Sequence, residues 1–386
     1  MLQFMLWGNR VRSVGSGTGI HDGMEHGADS TVLITGGAGF LGSHATLVLL
    51  EAGRSVVVLD DFSNSRPEAL RRVAALAGLD GWTATEPGQW RAGQATGVSL
   101  RVVTGDVRRS GDLEAAFAQA PIGAVLHFAG LKAVAESVRQ PLRYWEVNVG
   151  GSLRLLEAMT ARGCRTLVFS SSATLYGLCE QVPISESAPV KPINPYGSTK
   201  AAVERLLADA AASEPAWRIA CLRYFNPVGA HPSGRIGEDP SGLPNNLFPL
   251  VSQVAVGRRP LLEVYGCDWP TADGTGVRDY IHVMDLAEGH RAALTQLEQE
   301  SPQVLTLNLG SGRGHSVLEL VRAFEAASGR PVPWQEAPRR PGDSAVSIAD
   351  ASAAQRRLDW RASRSLAECC RDGWAWQQAN PQGYGD

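Results

Sequence analysis

The sequence predicts an α/β protein built on a doubly wound, mostly parallel sheet. Three observations carry that prediction. Short runs of Val, Ile and Leu recur through the first half of the chain without the polar alternation of a half-exposed strand. Helical patterns lie between those runs. The first run opens directly into a glycine-rich turn and then a helix, the opening of a nucleotide-binding βαβ unit.

The elements follow in order. Residues 31–35 (TVLIT) form a buried strand, and residues 36–42 (GGAGFLG) the turn. A helical pattern covers 43–52, with Gly53 as its stop. A second strand, 55–59, ends in Asp60. Further strands are read at 99–103, followed by Gly105 and Asp106, at 124–128, followed by Ala129 and Gly130, and at 166–170. Helical patterns cover 113–119, 148–161 and 196–212. The stretch 78–97 is glycine-rich without clear periodicity and reads as a surface insertion. Residues 1–30 read as a disordered extension, because Gly8, Asn9 and Arg10 break the only apolar start too early for a signal peptide.

Composition narrows the class. With 386 residues, 44% hydrophobic and 19% charged, a large core is available and two to three domains are expected. The balance of 36 basic against 39 acidic side chains speaks against non-specific nucleic-acid binding. The chain holds no long apolar run, so no transmembrane helix and no membrane partner are expected. Six cysteines without a CxxC pair read as reduced core thiols, which places the protein in the cytoplasm. The histidines form no ligand-spaced cluster, so no metal is expected.

Gly37, Gly39 and Gly42 fit GxGxxG, and Gly36, Gly39 and Gly42 fit GxxGxxG. Such glycines let the backbone approach a pyrophosphate, which the free N–H groups and partial positive charge of the following helix attract. Asp60 stands 18 residues beyond Gly42, where a carboxylate binds the adenosine ribose hydroxyls and repels a 2′-phosphate. NAD is therefore expected rather than NADP. Downstream, Ser172 follows the strand at 166–170, and Tyr196 and Lys200 stand four apart at the start of a helical pattern, on one face. A free phenol is a poor base at neutral pH; a nearby ammonium and a cationic nicotinamide ring would lower its pKa. Ser, Tyr and Lys beside NAD make a site for proton transfer coupled to hydride chemistry on an alcohol.

The motifs carry a resemblance. They run over 35–44 (TGGAGFLGSH), 127–134 (HFAGLKAV), 170–177 (SSSATLYG), 194–200 (NPYGSTK), 222–232 (LRYFNPVGAHP), 244–247 (PNNL) and 273–286 (DGTGVRDYIHVMDL). On these the chain resembles the extended short-chain dehydrogenases/reductases, and among them the UDP-glucose 4-epimerases, from residue 31 to 386. The first and fourth blocks mark only the superfamily; the second, fifth and last are far more specific.

The resemblance implies a Rossmann-type NAD domain over 31–222 and a smaller α/β UDP-sugar domain over 223–386, with segments exchanged. It implies that Tyr196 takes the 4-hydroxyl proton while hydride passes to NAD, that Lys200 lowers the Tyr196 pKa and holds the nicotinamide ribose, and that Ser172 hydrogen-bonds the reacting oxygen. The NAD contacts it implies, besides Gly36, Gly39, Gly42, Tyr196 and Lys200, are Phe40, Leu41, Asp60, Asp61, Asn64, Ser65, Asp106, Val107, Phe128, Ala129, Gly130, Lys132, Asn148 and Phe225. For the UDP-hexose it implies Arg278 and Arg340 on the diphosphate, with Ser172, Asn226, Asn246, Leu247 and Asp343. The resemblance also implies that Ser347 borders the sugar pocket, where a small residue leaves room for a 2-acetamido group, so UDP-GlcNAc and UDP-GalNAc are expected substrates as well. A homodimer through the helices after Asn148 and Tyr196 is also implied.

Related dehydratases carry Asp-Glu after the strand-end Ser/Thr; here Ala173 and Thr174 stand there and cannot act as acid and base. The rival readings are an epimerase of UDP-glucuronate or UDP-xylose, and a non-catalytic NAD-binding regulator. Members that have become regulators typically lose the Tyr/Lys pair, which this chain keeps.

Overall fold

The computed structural model describes residues 31–93, 97–242, 244, 246–340 and 342–385. The reading of residues 1–30 lies outside them. The chain begins with β1 (Thr31–Thr35), α1 (Phe40–Glu51), β2 (Val56–Asp60), α2 (Pro67–Leu76), β3 (Asp80–Glu86), β4 (Gln89–Gly93), β5 (Ser99–Thr104), α3 (Ser110–Phe117) and β6 (Ile122–His127). It continues with α4 (Val134–Arg139), α5 (Pro141–Tyr144), a π-helical turn (Trp145–Gly150), α6 (Gly151–Ala161), β7 (Thr166–Ser170), a 3-10 turn (Ala173–Tyr176), α7 (Pro195–Ser213) and β8 (Arg218–Tyr224).

The remainder alternates again: β9 (Asn226–Val228), α8 (Leu247–Ala255), β10 (Leu262–Tyr265), β11 (Val277–His282), α9 (Val283–Gln299), β12 (Val304–Leu309) and β13 (Gly314–Ser316). Then come α10 (Val317–Ser328), β14 (Trp334–Ala337), β15 (Val346–Ser347), α11 (Ser352–Leu358) and α12 (Leu366–Ala379).

The main sheet has nine strands in the order β12-β8-β7-β6-β1-β2-β5-β4-β3, parallel from β12 to β5. Its central strands β1, β2, β6 and β7 are buried because both faces are covered: α1, α2 and α9 pack on one face and α3, α6 and α7 on the other. Strand order reverses at β1, which pairs with β2 on one side and β6 on the other. That opens the crevice at the carboxyl ends of these strands where such sheets bind ligands.

Three elements differ from the sequence reading. The stretch 78–97 contains regular structure: β3 and β4 form a hairpin that adds antiparallel strands to β5. Its turn is Pro87-Gly88, with Gly88 at φ 75°, the residues a type II turn takes at its two central positions. Trp82 stacks on Trp90, and Phe62 meets the Trp90 ring edge-on at 5.9 Å, so the hairpin also packs on the turn after Asp60. The helix read from residue 43 starts at Phe40, because Gly39 is its N-cap and Gly42 nests against the preceding turn. The helix read from residue 148 is preceded by the π turn, and Asn148 lies inside that turn.

The later elements form a second layer. β11 is paired by β9, β13 and β15, while β10 pairs with β14. Helices α8, α10 and α12 enclose the core of this part. The chain passes from the main sheet to this layer at Phe225, between β8 and β9, and returns with α9 and β12. The division expected after residue 222 thus falls within β8, whose pairing with β12 continues to Tyr224.

Candidate functional site

Gly36 turns the chain at φ 72°, and a Cβ there would meet the Ala129 backbone nitrogen at 2.7 Å. A Cβ on Gly42 would lie 2.1 Å from the Gly36 carbonyl oxygen. Gly39, by contrast, has only that oxygen nearby, at 3.4 Å, and no side chain caps α1. The first-turn N–H groups of Phe40 and Leu41 are therefore left for an anionic ligand.

Asp60 ends β2 and is nearly buried. Its carboxylate accepts from Ala38 N, Phe62 N and the Ser65 hydroxyl, which leaves one of about four acceptor positions for a ligand. Burial pushes its pKa up, and those three donors work against the rise. Asp61 accepts from Ser63, and Asn64 Oδ1 accepts from Ser241 N, tying this turn to the second layer. Asp106 pairs with Arg108, which holds its carboxyl below the usual range, and Val107 is buried against Gly151. A glycine cradle, an uncapped helix start and a strand-end aspartate are the donor and acceptor set that NAD requires, so these residues fit that cofactor.

Beyond β6, Phe128 N and Ala129 N both donate to the Thr35 carbonyl, and the Phe128 ring faces His290 at 4.7 Å. Lys132 pairs with Glu238 at 2.8 Å. Gly130 passes so close to Asn148 that a Cβ would lie 3.0 Å from Asn148 Oδ1. The Asn148 carboxamide accepts from Leu131 N and donates to Leu131 O and Thr199 Oγ1. Its role in the protein alone is to hold the loop after β6 against α7.

Ser172, Tyr196 and Lys200 are all nearly buried where β7 meets α7. Asn194 caps α7, its side chain accepting from Gly197 N at 2.9 Å, and Pro195 sets the first turn. Ser172 Oγ donates to Thr174 Oγ1 and accepts from Thr174 N. Lys200 Nζ donates to the Ser170 carbonyl at 2.8 Å and lies 4.8 Å from the centre of the Phe169 ring. Burial brings its pKa down to about 8, with Glu204 opposing. In the protein alone, burial raises the Tyr196 pKa, the Ser172 hydroxyl works against the rise, and Lys200 Nζ is turned onto the Ser170 carbonyl; the expected lowering also rests on the cationic nicotinamide ring of bound NAD. Phe225 is buried beside Leu175 and Tyr176.

The substrate candidates gather around β11. Arg278 lies on it, donates to Val277 O and stands 3.8 Å from Asp343. Asp343 also receives Arg340 at 3.1 Å, so one carboxylate holds both guanidinium groups. Burial lowers the Arg278 pKa against the pull of Asp343. Ser347, on β15, pairs in register with Arg278 and is half-buried. Asn226, on β9, pairs with Tyr280 of β11. Asn246 is the N-cap of α8 without using its side chain, and Leu247 is the first helical residue.

Sequence reasoning missed several residues. Tyr265 carries the Arg340 guanidinium at 5.0 Å from its ring centre. The Tyr224 hydroxyl meets the Ser170 hydroxyl. His127 joins Thr35 Oγ1 at 2.6 Å to Ser152 Oγ at 2.9 Å. Glu204 takes the Ser171 hydroxyl, and it had a signal, since it continues the four-residue spacing of Tyr196 and Lys200. Among the described residues, no group of three or more His, Cys, Asp or Glu is placed to hold a metal ion, and all six cysteines are free thiols.

A doubly wound sheet with this glycine turn, and a Ser/Tyr/Lys group at the strand ends, defines an NAD-dependent enzyme of the extended short-chain dehydrogenase/reductase class. Within it, the chain belongs to the NAD dependent epimerase/dehydratase family, whose sequence profile matches residues 32–310. It is 52% identical over 358 residues to UDP-glucose 4-epimerase 4 of Oryza sativa subsp. japonica, covering 93% of each chain. Among solved structures, it is similar to the UDP-glucose 4-epimerase of Bifidobacterium longum in complex with NAD+ and UDP. That match has a TM-score of 0.84 at 44% identity and covers 92% of this chain and 100% of that one. It is also similar to the Stenotrophomonas maltophila enzyme with bound NAD and formylated UDP-arabinopyranose. There the TM-score is 0.83 at 47% identity, over 91% of this chain and 99% of that one.

Proposed function

We propose that this protein interconverts UDP-galactose and UDP-glucose by 4-epimerisation with bound NAD. The observation that carries the reading is the meeting of Ser172, Tyr196 and Lys200 at the end of β7, in a fold with a glycine cradle. Carbon 4 of a hexose has no adjacent carbonyl to acidify its C–H bond, so inversion requires transient oxidation to a 4-keto sugar. NAD, when bound, supplies the reversible hydride acceptor.

The chain's own residues handle the proton and the substrate. Tyr196 Oη accepts the 4-hydroxyl proton and later returns it, and the Ser172 hydroxyl favours the phenolate during that exchange. Lys200 supplies positive charge beside them. Arg278 and Arg340, now shared by Asp343, are the forked donors for the diphosphate. A firm hold on UDP and a loose hold on the hexose let the 4-keto sugar turn before it is reduced on the other face. Residues 31–222 serve mainly as the NAD part and 223–386 as the UDP-sugar part, with α9 and β12 contributed back to the main sheet.

Ser347 extends the substrate range to UDP-GlcNAc and UDP-GalNAc, because its small side chain sits beside Arg278. The protein works as a homodimer. Val134, Val138, Leu142, Trp145 and Leu153 are exposed along α4 to α6, an apolar surface suited to a second copy. The cytoplasm is its compartment: its six thiols are free, and no described helix is long and apolar enough to cross a membrane.

The test is purified protein with UDP-galactose and no added cofactor, with products resolved by NMR. A stable mixture containing UDP-glucose is expected. No conversion, even with added NAD, would overturn the reading.

A further inference from the structure

The spacing that joins Tyr196 to Lys200 continues one helical turn further, to Glu204. At the end of β7, consecutive residues meet these three side chains of α7. The Ser170 carbonyl accepts from Lys200 at 2.8 Å, and the Ser171 hydroxyl donates to Glu204 at 2.5 Å. The next hydroxyl, that of Ser172, acts on Tyr196. Glu204 does not swing freely. Arg223, on β8, clamps it through Nη2 at 2.5 Å and Nε at 3.0 Å, and both side chains are about nine-tenths buried. Arg223 is fixed in turn by Tyr176 Oη at 3.1 Å and the Glu186 carbonyl at 3.3 Å.

We propose that Glu204, locked by Arg223, is a positioning residue of the active site: it sets the Ser171–Ser172 segment against Tyr196 and sustains the charge on Lys200. The proposal rests on the epimerase reading of this site. Lys200 is packed against several elements. From β7 come the Ser170 carbonyl and the Phe169 ring, and from β6 comes His127, which burial keeps neutral. Tyr196 lies one turn away on α7, and the Tyr224 hydroxyl meets Ser170 from β8. The Asn148 carboxamide oxygen and Lys200 Nζ both border Gly130, beside the loop after β6. Among the described residues, Glu204 is the one carboxylate that acts on Lys200, with the Arg223 cation behind it.

The test separates charge from position. Glu204→Gln keeps an acceptor for Ser171, removes the negative charge and leaves Arg223 without its carboxylate partner. Ser171→Ala removes the tether and leaves the charge. The sequence has three lysines, Lys132, Lys191 and Lys200, so a carbon-13 lysine label resolves the Lys200 side chain by NMR. In Glu204→Gln the Lys200 titration midpoint, and with it the alkaline limb of kcat/KM for UDP-galactose, is expected about one pH unit lower. In Ser171→Ala, kcat is expected to fall several-fold, with KM and the midpoint unchanged. Should Glu204→Gln fail to fold with Arg223 unpaired, Glu204→Gln/Arg223→Met removes both charges, and a downward shift is still expected because Glu204, one helical turn from Lys200, acts on it directly. A Lys200 midpoint that stays where it is in a folded Glu204 variant would overturn the proposal, as would an unchanged kcat in Ser171→Ala. The NMR titration needs no turnover, so wild-type inactivity on UDP-galactose would defeat the epimerase reading separately.

Discussion

Asn148 and Thr199 are joined across the site by a hydrogen bond of 2.9 Å, from the carboxamide in the π turn to the hydroxyl on α7. The Thr199 hydroxyl in turn donates to the Tyr196 carbonyl at 2.7 Å, while the Asn148 carboxamide also holds the N–H and the carbonyl of Leu131. Ser152 Oγ donates to the Asn148 carbonyl at 2.6 Å and meets His127, which reaches back to Thr35 at the head of the glycine turn. A single buried chain therefore links the cofactor cradle to the helix that carries Tyr196 and Lys200.

Asn148→Ala is expected to break that chain in the middle. It leaves the Leu131 N–H and carbonyl without their partner inside the fold, and the Thr199 hydroxyl with the Tyr196 carbonyl alone, at a cost of about 2 kcal/mol in stability. kcat should fall at least about tenfold, together with weaker retention of NAD, measured as nucleotide released on gel filtration. A variant with wild-type kcat and full NAD content would show that the link does not serve the site.

The rate should fall on the alkaline side. Burial brings Lys200 down to about 8, so it is charged below that pH and loses its proton as pH rises through it. kcat/KM for UDP-galactose, which reports the free enzyme, should therefore decline with a midpoint near pH 8. A flat profile up to pH 9.5 would separate Lys200 charge from catalysis. Tyr196→Phe should lose at least about a hundredfold in kcat at every pH while still holding NAD.

Ser347→Tyr is expected to abolish turnover of UDP-GalNAc and to spare UDP-galactose, because the new ring would stand beside Arg278 on the neighbouring strand. Parallel assays with both substrates decide it. Equal loss of both activities would mean that the residue holds the diphosphate end rather than limiting the hexose.

Acid should unfold the protein early. His44 and His127 are buried, with pKa values lowered by burial to about 3, and His290 to about 4. Between those values and about 6.5, the unfolded chain takes up protons that the folded chain refuses. Stability is then complete above pH 6.5 and falls as pH drops, by up to about 1.4 kcal/mol per unit for each histidine. Urea unfolding at pH 7.5, 6.0 and 5.0 should show a decreasing midpoint; a constant midpoint would refute the assignment.

The sequence by itself determined the parallel sheet, the glycine turn, Asp60, and the pairing of Tyr196 with Lys200. Each is a local pattern: a β-branched run, a helix periodicity, or a fixed spacing along one helix face. The hairpin at Trp82 and Trp90 escaped because its glycines interrupt the alternation, although Pro87-Gly88 marks its turn. The tertiary structure decided what depends on residues far apart. Ser171 meets Glu204 across 33 positions and Asn148 meets Thr199 across 51, and no periodicity encodes such pairs. It also decided the direction of the ionisations. In the protein alone burial raises the phenol of Tyr196 and lowers Lys200, because desolvation acts on each charge according to its depth in the fold, and the nicotinamide ring that the sequence reading invoked acts on top of that.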